Sequence, residues 1–152
     1  MIPIKTYKQK KSNLPQRKIG LISFTDPRRE VKLAYKREKY IKDTHQKIVK
    51  EIRKAGFIAI DPQKELKGDE IIDQKWGISE LSELDYVEKQ FQKENIAGLI
   101  IGCFSWNEPD LPHLLAKKLS VPIALLTINN PQWPGVTALT STGASFWQLS
   151  SV

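Results

Sequence analysis

The first apolar run of the chain opens at Lys18 as Ile-Gly-Leu-Ile-Ser-Phe and ends in the turn chemistry of Thr25-Asp26-Pro27, which predicts a strand. Beyond it, Tyr40, Ile41, Thr44, Ile48, Ile52 and Ala55 recur at three- and four-residue spacing with lysines and acids between them, and Gly56 stands where a helix would stop. This pattern predicts a long amphipathic helix starting near Arg29. Phe57 to Ile60 reads as a second strand, closed by Asp61-Pro62. Residues 62–77 are polar and irregular, with Gly68 and Gly77 as turn points, and are assigned as a loop containing at most a short helical turn. From Ile78, the positions Leu81, Leu84, Val87 and Phe91 follow a second helical stripe that runs to Glu94-Asn95. Ile96 to Gly102 is then apolar throughout, the signature of a parallel strand buried on both faces. Leu111, Leu114, Leu115 and Leu119 make a short helix entered through Asp110 and Pro112, and Val121 to Leu126 supplies a fourth strand.

Strands that alternate with helices predict a parallel sheet with right-handed crossovers and helices on both faces. The fold class is therefore α/β, a three-layer, doubly wound, flavodoxin-like (Rossmann-like) single domain with strand order 2-1-3-4. It spans residues 18–152 behind a flexible arm over 1–17. After Asn129 the chain turns through Pro131, Trp133 and Pro134-Gly135, and Val136 to Leu149 is predicted to be a helix carrying Phe146 and Trp147. Aromatic residues at that place predict a covering element downstream.

Charge alters this picture only at the amino terminus. Six of the 24 basic residues, Lys5, Lys8, Lys10, Lys11, Arg17 and Lys18, fall in the first 20 positions with no acid, which leaves 18 basic against 17 acidic residues elsewhere. The net charge of +7 thus belongs to an arm rather than to a face of the domain. That arm lacks the interleaved aromatics of a stacking surface, Tyr7 apart, so a solvated or partner-facing tail is expected and a nucleic-acid partner is not. No apolar run approaches the length of a membrane span, no signal-peptide pattern precedes Lys18, and Cys103 is the only cysteine. These features predict a cytoplasmic protein without an internal disulfide and without a membrane partner.

Ligands of such sheets lie beyond the carboxyl ends of the strands, where neighbouring connections diverge. The segment leaving the first strand, Phe24 to Glu30, has neither a dinucleotide glycine turn nor a Walker lysine, and Gly102 to Trp106 places no phosphoacceptor aspartate after the third strand. The two histidines, His45 and His113, sit far apart within predicted helices and are expected to be surface or partly buried helix residues rather than metal ligands. Cys103 is expected to be a buried or partly buried small apolar residue, with no histidine to pair with as a nucleophile. The serines of 140–151 find no histidine and acid beside them in the pattern. No self-contained catalytic constellation is predicted.

Two segments at this edge carry residues suited to polyol recognition. Arg28 and Arg29 follow the first strand, and Trp106, beside Asn107, Glu108 and Asp110, follows the third. A guanidinium donates several directional hydrogen bonds to hydroxyl oxygens, and an indole offers an apolar face to the carbon-bound hydrogens of a sugar. On the residues alone, Arg28 and Arg29 serve equally as helix-start ion-pair partners of Asp26 or Glu30, and Trp106 serves equally as a loop anchor. A resemblance favours the first reading. Asp26-Pro-Arg-Arg-Glu-Val31 resembles the opening Asp-Gly-Arg-Arg segment of L-fucose isomerases. Cys103-Phe-Ser-Trp106 is similar to the Cys-Trp segment after that family's third strand, and Asn129 to Gly135 resembles its Asn-Gly-Thr-Glu-Arg-Pro-Gly turn. Order and approximate spacing agree over residues 18–149. Pro27 replaces a glycine, and Gln132 and Trp133 replace the acid and the arginine of the turn.

The resemblance to the L-fucose and L-arabinose isomerase family implies the amino-terminal domain of an aldose–ketose isomerase that works through an enediol. It implies sugar contacts from Arg28 and Trp106, supported by Arg29, lent to a neighbouring subunit of an oligomer. The divalent metal, usually manganese, would be held by carboxylates and a histidine of further domains or of a downstream polypeptide. This chain is expected to bind no cofactor of its own, to supply no catalytic residue and not to isomerise a sugar alone. A stand-alone sugar-binding or regulatory module and a partner-binding structural domain are the alternatives.

Overall fold

The computed structural model describes residues 17–26, 34–71, 75–105, 107 and 109–127. Along the chain these form β1 (Lys18–Ser23), α1 (Ala34–Lys54), β2 (Ile58–Ile60), α2 (Pro62–Lys67), α3 (Leu81–Glu94), β3 (Gly98–Gly102), α4 (Asp110–Lys118) and β4 (Ile123–Leu126). The strands pair in parallel in the order β2-β1-β3-β4, so the expected order 2-1-3-4 and the α/β class are both found. The first-helix residues from Arg29 to Leu33, the helix expected over 136–149 and nearly all of the 1–17 arm lie outside the described residues.

Alternation along β1 builds two cores. Ile22 and Phe24 point to one face, where Leu84, Val87 and Phe91 of α3 and Leu115 of α4 pack with Leu99 and Ile101 of β3. Leu21 points to the other face, against Ile41, Ile48, Val49 and Ile52 of α1, with Trp76 and Phe104 closing the cluster. Because β2 and β3 flank β1 on opposite sides, right-handed crossovers send α1 to one face and α3 to the other. β3, the inner strand with helices on one face and Phe104 over the other, reads as apolar throughout for that reason.

The segment after β2 is more ordered than its polar sequence suggests. Asp61 caps α2 by accepting from the Lys64 N–H at 3.0 Å, Pro62 fits the first helical position, and Gly68 ends the helix at φ 68°. The last β2 pair is Gly20 with Ile60, yet β1 runs on to Ser23. Its bare edge is filled by a side chain: the Gln63 amide accepts from the Ser23 N–H at 2.8 Å and donates to the Ser23 carbonyl at 3.1 Å. Ile78 completes the edge, donating to the Ser23 carbonyl at 2.9 Å and accepting from the Thr25 N–H at 3.0 Å. This use of its backbone withdraws Ile78 from the helix expected to begin there. Helix α3 starts instead at Leu81, where Glu83 folds back to accept from the N–H groups of Ser79 and Glu80, and Leu81 itself is 53% exposed.

Ion pairs fasten the outer ends of the elements. Lys118 reaches Glu88 at 2.6 Å and Asp85 at 3.1 Å, tying α4 to α3, and Lys18 donates to Glu94 at 2.8 Å, tying the start of β1 to the end of α3. The Lys18 hydrogen bond, and then its charge, hold the Glu94 carboxyl below the usual glutamate range. A depressed carboxyl pKa contributes stability above its unfolded value and loses it as the pH falls through the folded one. Lys18→Met is therefore expected to move the Glu94 titration, followed by carboxyl carbon NMR, back up to the ordinary range. The same recovery is expected in wild type at high salt, because both side chains are partly solvated.

Candidate functional site

β1 and β3 are hydrogen-bonded neighbours whose carboxyl ends align at Ser23 and Gly102. From this point the chain after β1 goes to α1 on one face and the chain after β3 goes to α4 on the other, the divergence at which ligands of doubly wound sheets sit. A buried polar cluster occupies the same edge: Ser23, Thr25 and Asp26 at the exit of β1, Glu38 and His45 on α1, Gln63 on α2, and Asn107 after β3. Cys103, directly after β3, is fully buried in the core, as expected for a small apolar residue.

Glu38 is held through both of its carboxylate oxygens. One carboxylate oxygen accepts from the Trp76 N–H at 2.8 Å and the Gly77 N–H at 2.9 Å, and the other accepts from the Thr25 hydroxyl and from Arg37 Nε at 3.1 Å. A fully buried carboxylate is costly unless paired and hydrogen-bonded, and these four donors, one of them a guanidinium, supply both conditions. Gly77 has to be glycine for this approach. A Cβ there would stand 2.6 Å from Thr25 Cβ and 2.9 Å from the Thr25 nitrogen, inside any tolerable contact.

His45 departs from its expected place as a surface or partly buried helix residue. It is fully buried, with Nδ1 at 2.8 Å from Ser23 Oγ, Nε2 at 3.0 Å from Asp61 Oδ1, and its ring set edge-on to Trp76 at 5.0 Å and 75°. Since a carboxylate only accepts, Nε2 carries a proton toward Asp61, and in the neutral imidazole Nδ1 accepts from the Ser23 hydroxyl. Serine, histidine and aspartate are thus aligned, but Ser23 has no exposed surface and its N–H is already taken by Gln63. The alignment joins β1, α1 and the start of α2. It offers no nucleophile to a substrate.

The spacing along α1 carries a signal for both Glu38 and His45. Glu38, Ile41, His45, Ile48 and Ile52 share three- and four-residue spacing, so a carboxylate and an imidazole occupy the buried stripe of α1, where polar groups need dedicated partners. His113, by contrast, lies partly buried on α4, as expected.

Arg28, Arg29 and Trp106 lie outside the described residues. Their described neighbours Asp26 and Asn107 are buried and partnered at the ends of two adjacent strands. Among the described residues no three His, Cys, Asp or Glu side chains group as a metal site, and both ring nitrogens of His45 are already engaged. No described helix is long and apolar enough to cross a membrane. No family model, curated protein or solved structure matches the chain.

Proposed function

We propose that this chain is the substrate-recognition and assembly domain of an aldose–ketose isomerase of the L-fucose isomerase kind. In this reading the domain completes the pocket of a partner that carries the metal and the proton-transfer carboxylates. One observation carries the reading furthest: the sequences bearing Arg28 and Arg29 on one side and Trp106 on the other issue from the paired strands β1 and β3, beyond Ser23 and Gly102. Donors and an indole from two such neighbouring exits suit one sugar ring. Arg28 would donate to hydroxyl oxygens, Trp106 would cover the carbon-bound hydrogens, and Arg29 would support Arg28. The buried anchors Asp26 and Asn107 suit the need to hold both segments still. A cytoplasmic location and a homo-oligomer belong to the same proposal.

The test is ketose formation from L-fucose, D-arabinose and L-arabinose with added manganese. It compares this chain alone, a separately supplied metal-bearing isomerase polypeptide alone, and the two mixed. Ketose is expected only from the mixture, with kcat/KM falling about a hundredfold on Arg28→Ala or Trp106→Ala, the size of effect that loss of substrate positioning produces. An inactive mixture of two folded polypeptides, with no sugar binding by this chain, would overturn the isomerase reading in favour of a partner-binding domain. Sugar binding without turnover would replace it with a stand-alone sugar module.

A further inference from the structure

We infer that the exposed ridge of α1 is a binding surface for the phosphate backbone of a single-stranded nucleic acid, independently of the sugar reading above. The near balance of charge beyond residue 20 hides a separation. Helix α1 holds eight basic residues against three acids, whereas residues 55–152 hold seven basic against twelve acidic. One of the three acids, Glu38, is buried. This corrects the expectation that the positive charge belongs to the arm alone, and with it the ground for expecting no nucleic-acid partner.

The charge is arranged in a line. The buried stripe of α1, with Ile41, His45, Ile48 and Ile52, faces the sheet. Opposite it, Lys36, Lys39, Asp43, Lys47, Lys50 and Lys54 follow one another at three- and four-residue steps, a row about 27 Å long with about 5–6 Å between neighbours. All five lysines are exposed. Lys39 bonds Asp43 at 2.6 Å and Lys54 stands 3.6 Å from Glu51, but Lys36, Lys47 and Lys50 meet no acid among the described residues. On the rest of the domain Lys64, Lys67, Lys75 and Lys118 are each paired to an acid. Like charges three and four residues apart, as at Lys47, Lys50 and Lys54, weaken a helix, and the helix dipole compensates only for those in the last turn, Arg53 and Lys54. The row thus has little to gain from the fold and matches a regular row of anions.

The described surface favours a nucleic acid over other polyanions. A second copy of this chain offers few free acids, since Asp69, Glu80, Glu83, Glu88 and Glu94 are already paired within the domain. A helix that lies on a lipid surface inserts its apolar face, and that face of α1 is buried in the core. A single strand is held by a narrow row of cations with an aromatic ring beside it, and Tyr35, 57% exposed, stands one turn before Lys39.

The experiment titrates the full chain against a fluorescein-labelled oligouridylate by fluorescence anisotropy over a range of salt concentrations. Wild type is expected to bind with log K falling linearly in log salt. In Lys36→Gln/Lys47→Gln/Lys50→Gln the slope is expected to flatten by about 2, which makes binding about a hundredfold weaker at about 0.1 M salt, because each phosphate neutralised on a single strand contributes about −0.7. Glutamine serves a helix nearly as well as lysine, so circular dichroism should be unchanged. Should that variant fail to fold, Lys47→Gln/Lys50→Gln decides, with an expected flattening of about 1.4. Tyr35→Ala is expected to bind about tenfold more weakly at an unchanged slope, since stacking releases no counterions. Absence of binding by wild type overturns the inference, and so does a folded lysine variant with wild-type affinity and slope, which would leave the binding to the arm. Polyglutamate and vesicles of phosphatidylcholine with phosphatidylserine are the competitors. Displacement of the oligonucleotide by either at equal anionic charge would overturn the choice of nucleic acid in favour of an acidic protein or a lipid surface.

Discussion

Trp76→Ala is expected to lower the unfolding free energy by about 4 kcal/mol, the usual cost of removing a large aromatic side chain from a close-packed core. The side chain has no exposed surface and closes the core between α1 and the sheet with Leu21, Ile41 and Phe104. It also donates from Nε1 to the Gly68 carbonyl at 3.2 Å and meets the edge of His45, and both contacts vanish with the indole. Domains of this size are stable by roughly 5–15 kcal/mol, so the variant should remain folded in the cold and melt on the order of 10 °C lower. Chemical denaturation monitored by far-ultraviolet circular dichroism measures it. The Trp76 backbone N–H, which Glu38 holds, is untouched by this substitution, so the measurement reports on packing. A loss below about 1.5 kcal/mol would mean that the segment around Trp76 does not close the core.

The same segment marks the limit of what the sequence conveyed. The strands were legible because each is a compact apolar run, and β3 most of all, since burial on both faces removes polar positions from it. The amphipathic stripes of α1 and α3 were legible because 3.6-residue periodicity is a local property. Residues 62–77 carry no such period, and the order of the described ones among them comes from partners far away in sequence. Glu38 bonds Trp76 and Gly77 across 38 and 39 positions, and Gln63 replaces a strand residue beside Ser23 across 40. No spacing rule announces a glutamine amide that continues a sheet edge. Ile78 shows the converse failure. Its apolar side chain suits the helical stripe of α3, but its backbone is committed to β1, a commitment that the side-chain pattern does not record.

The candidate site divides along the same line. Asp26, Cys103 and Asn107 could be placed near the carboxyl edge because they follow β1 and β3 within a few residues. The polar network beneath them was legible only in part: periodicity puts Glu38 and His45 on the buried stripe of α1, but their partners Asp61, Trp76 and Gly77 come from residues far away in sequence. Arg28, Arg29 and Trp106, chosen for sugar recognition, follow the same two strands in sequence and lie outside the described residues. Their proposed role therefore rests on the order of the strands.

The second large effect is expected at His45. Replacement by leucine keeps nearly the same volume but strips Ser23 Oγ of its partner in a place with no solvent, and takes one of two donors from Asp61, which keeps the Lys64 N–H. Leaving a buried hydroxyl unsatisfied costs about 1–3 kcal/mol, and weakening the Asp61 cap adds to it, so His45→Leu should cost about 3 kcal/mol. Ser23→Ala alone should cost about 1 kcal/mol, because it leaves only a ring nitrogen short of a donor. The double variant should then be more stable than the sum of the two losses by about 1–2 kcal/mol, since once the imidazole is gone the hydroxyl is a burden. Additivity within about 0.5 kcal/mol would show that the two side chains do not share a bond. A serine-directed fluorophosphonate separates this structural role from a hydrolytic one. Ser23 should stay unlabelled in folded wild type, because a nucleophile must be reachable as well as aligned. Labelling that His45→Leu abolishes would instead make Ser23, His45 and Asp61 a working triad, and the buried network under the sheet edge would become the active site.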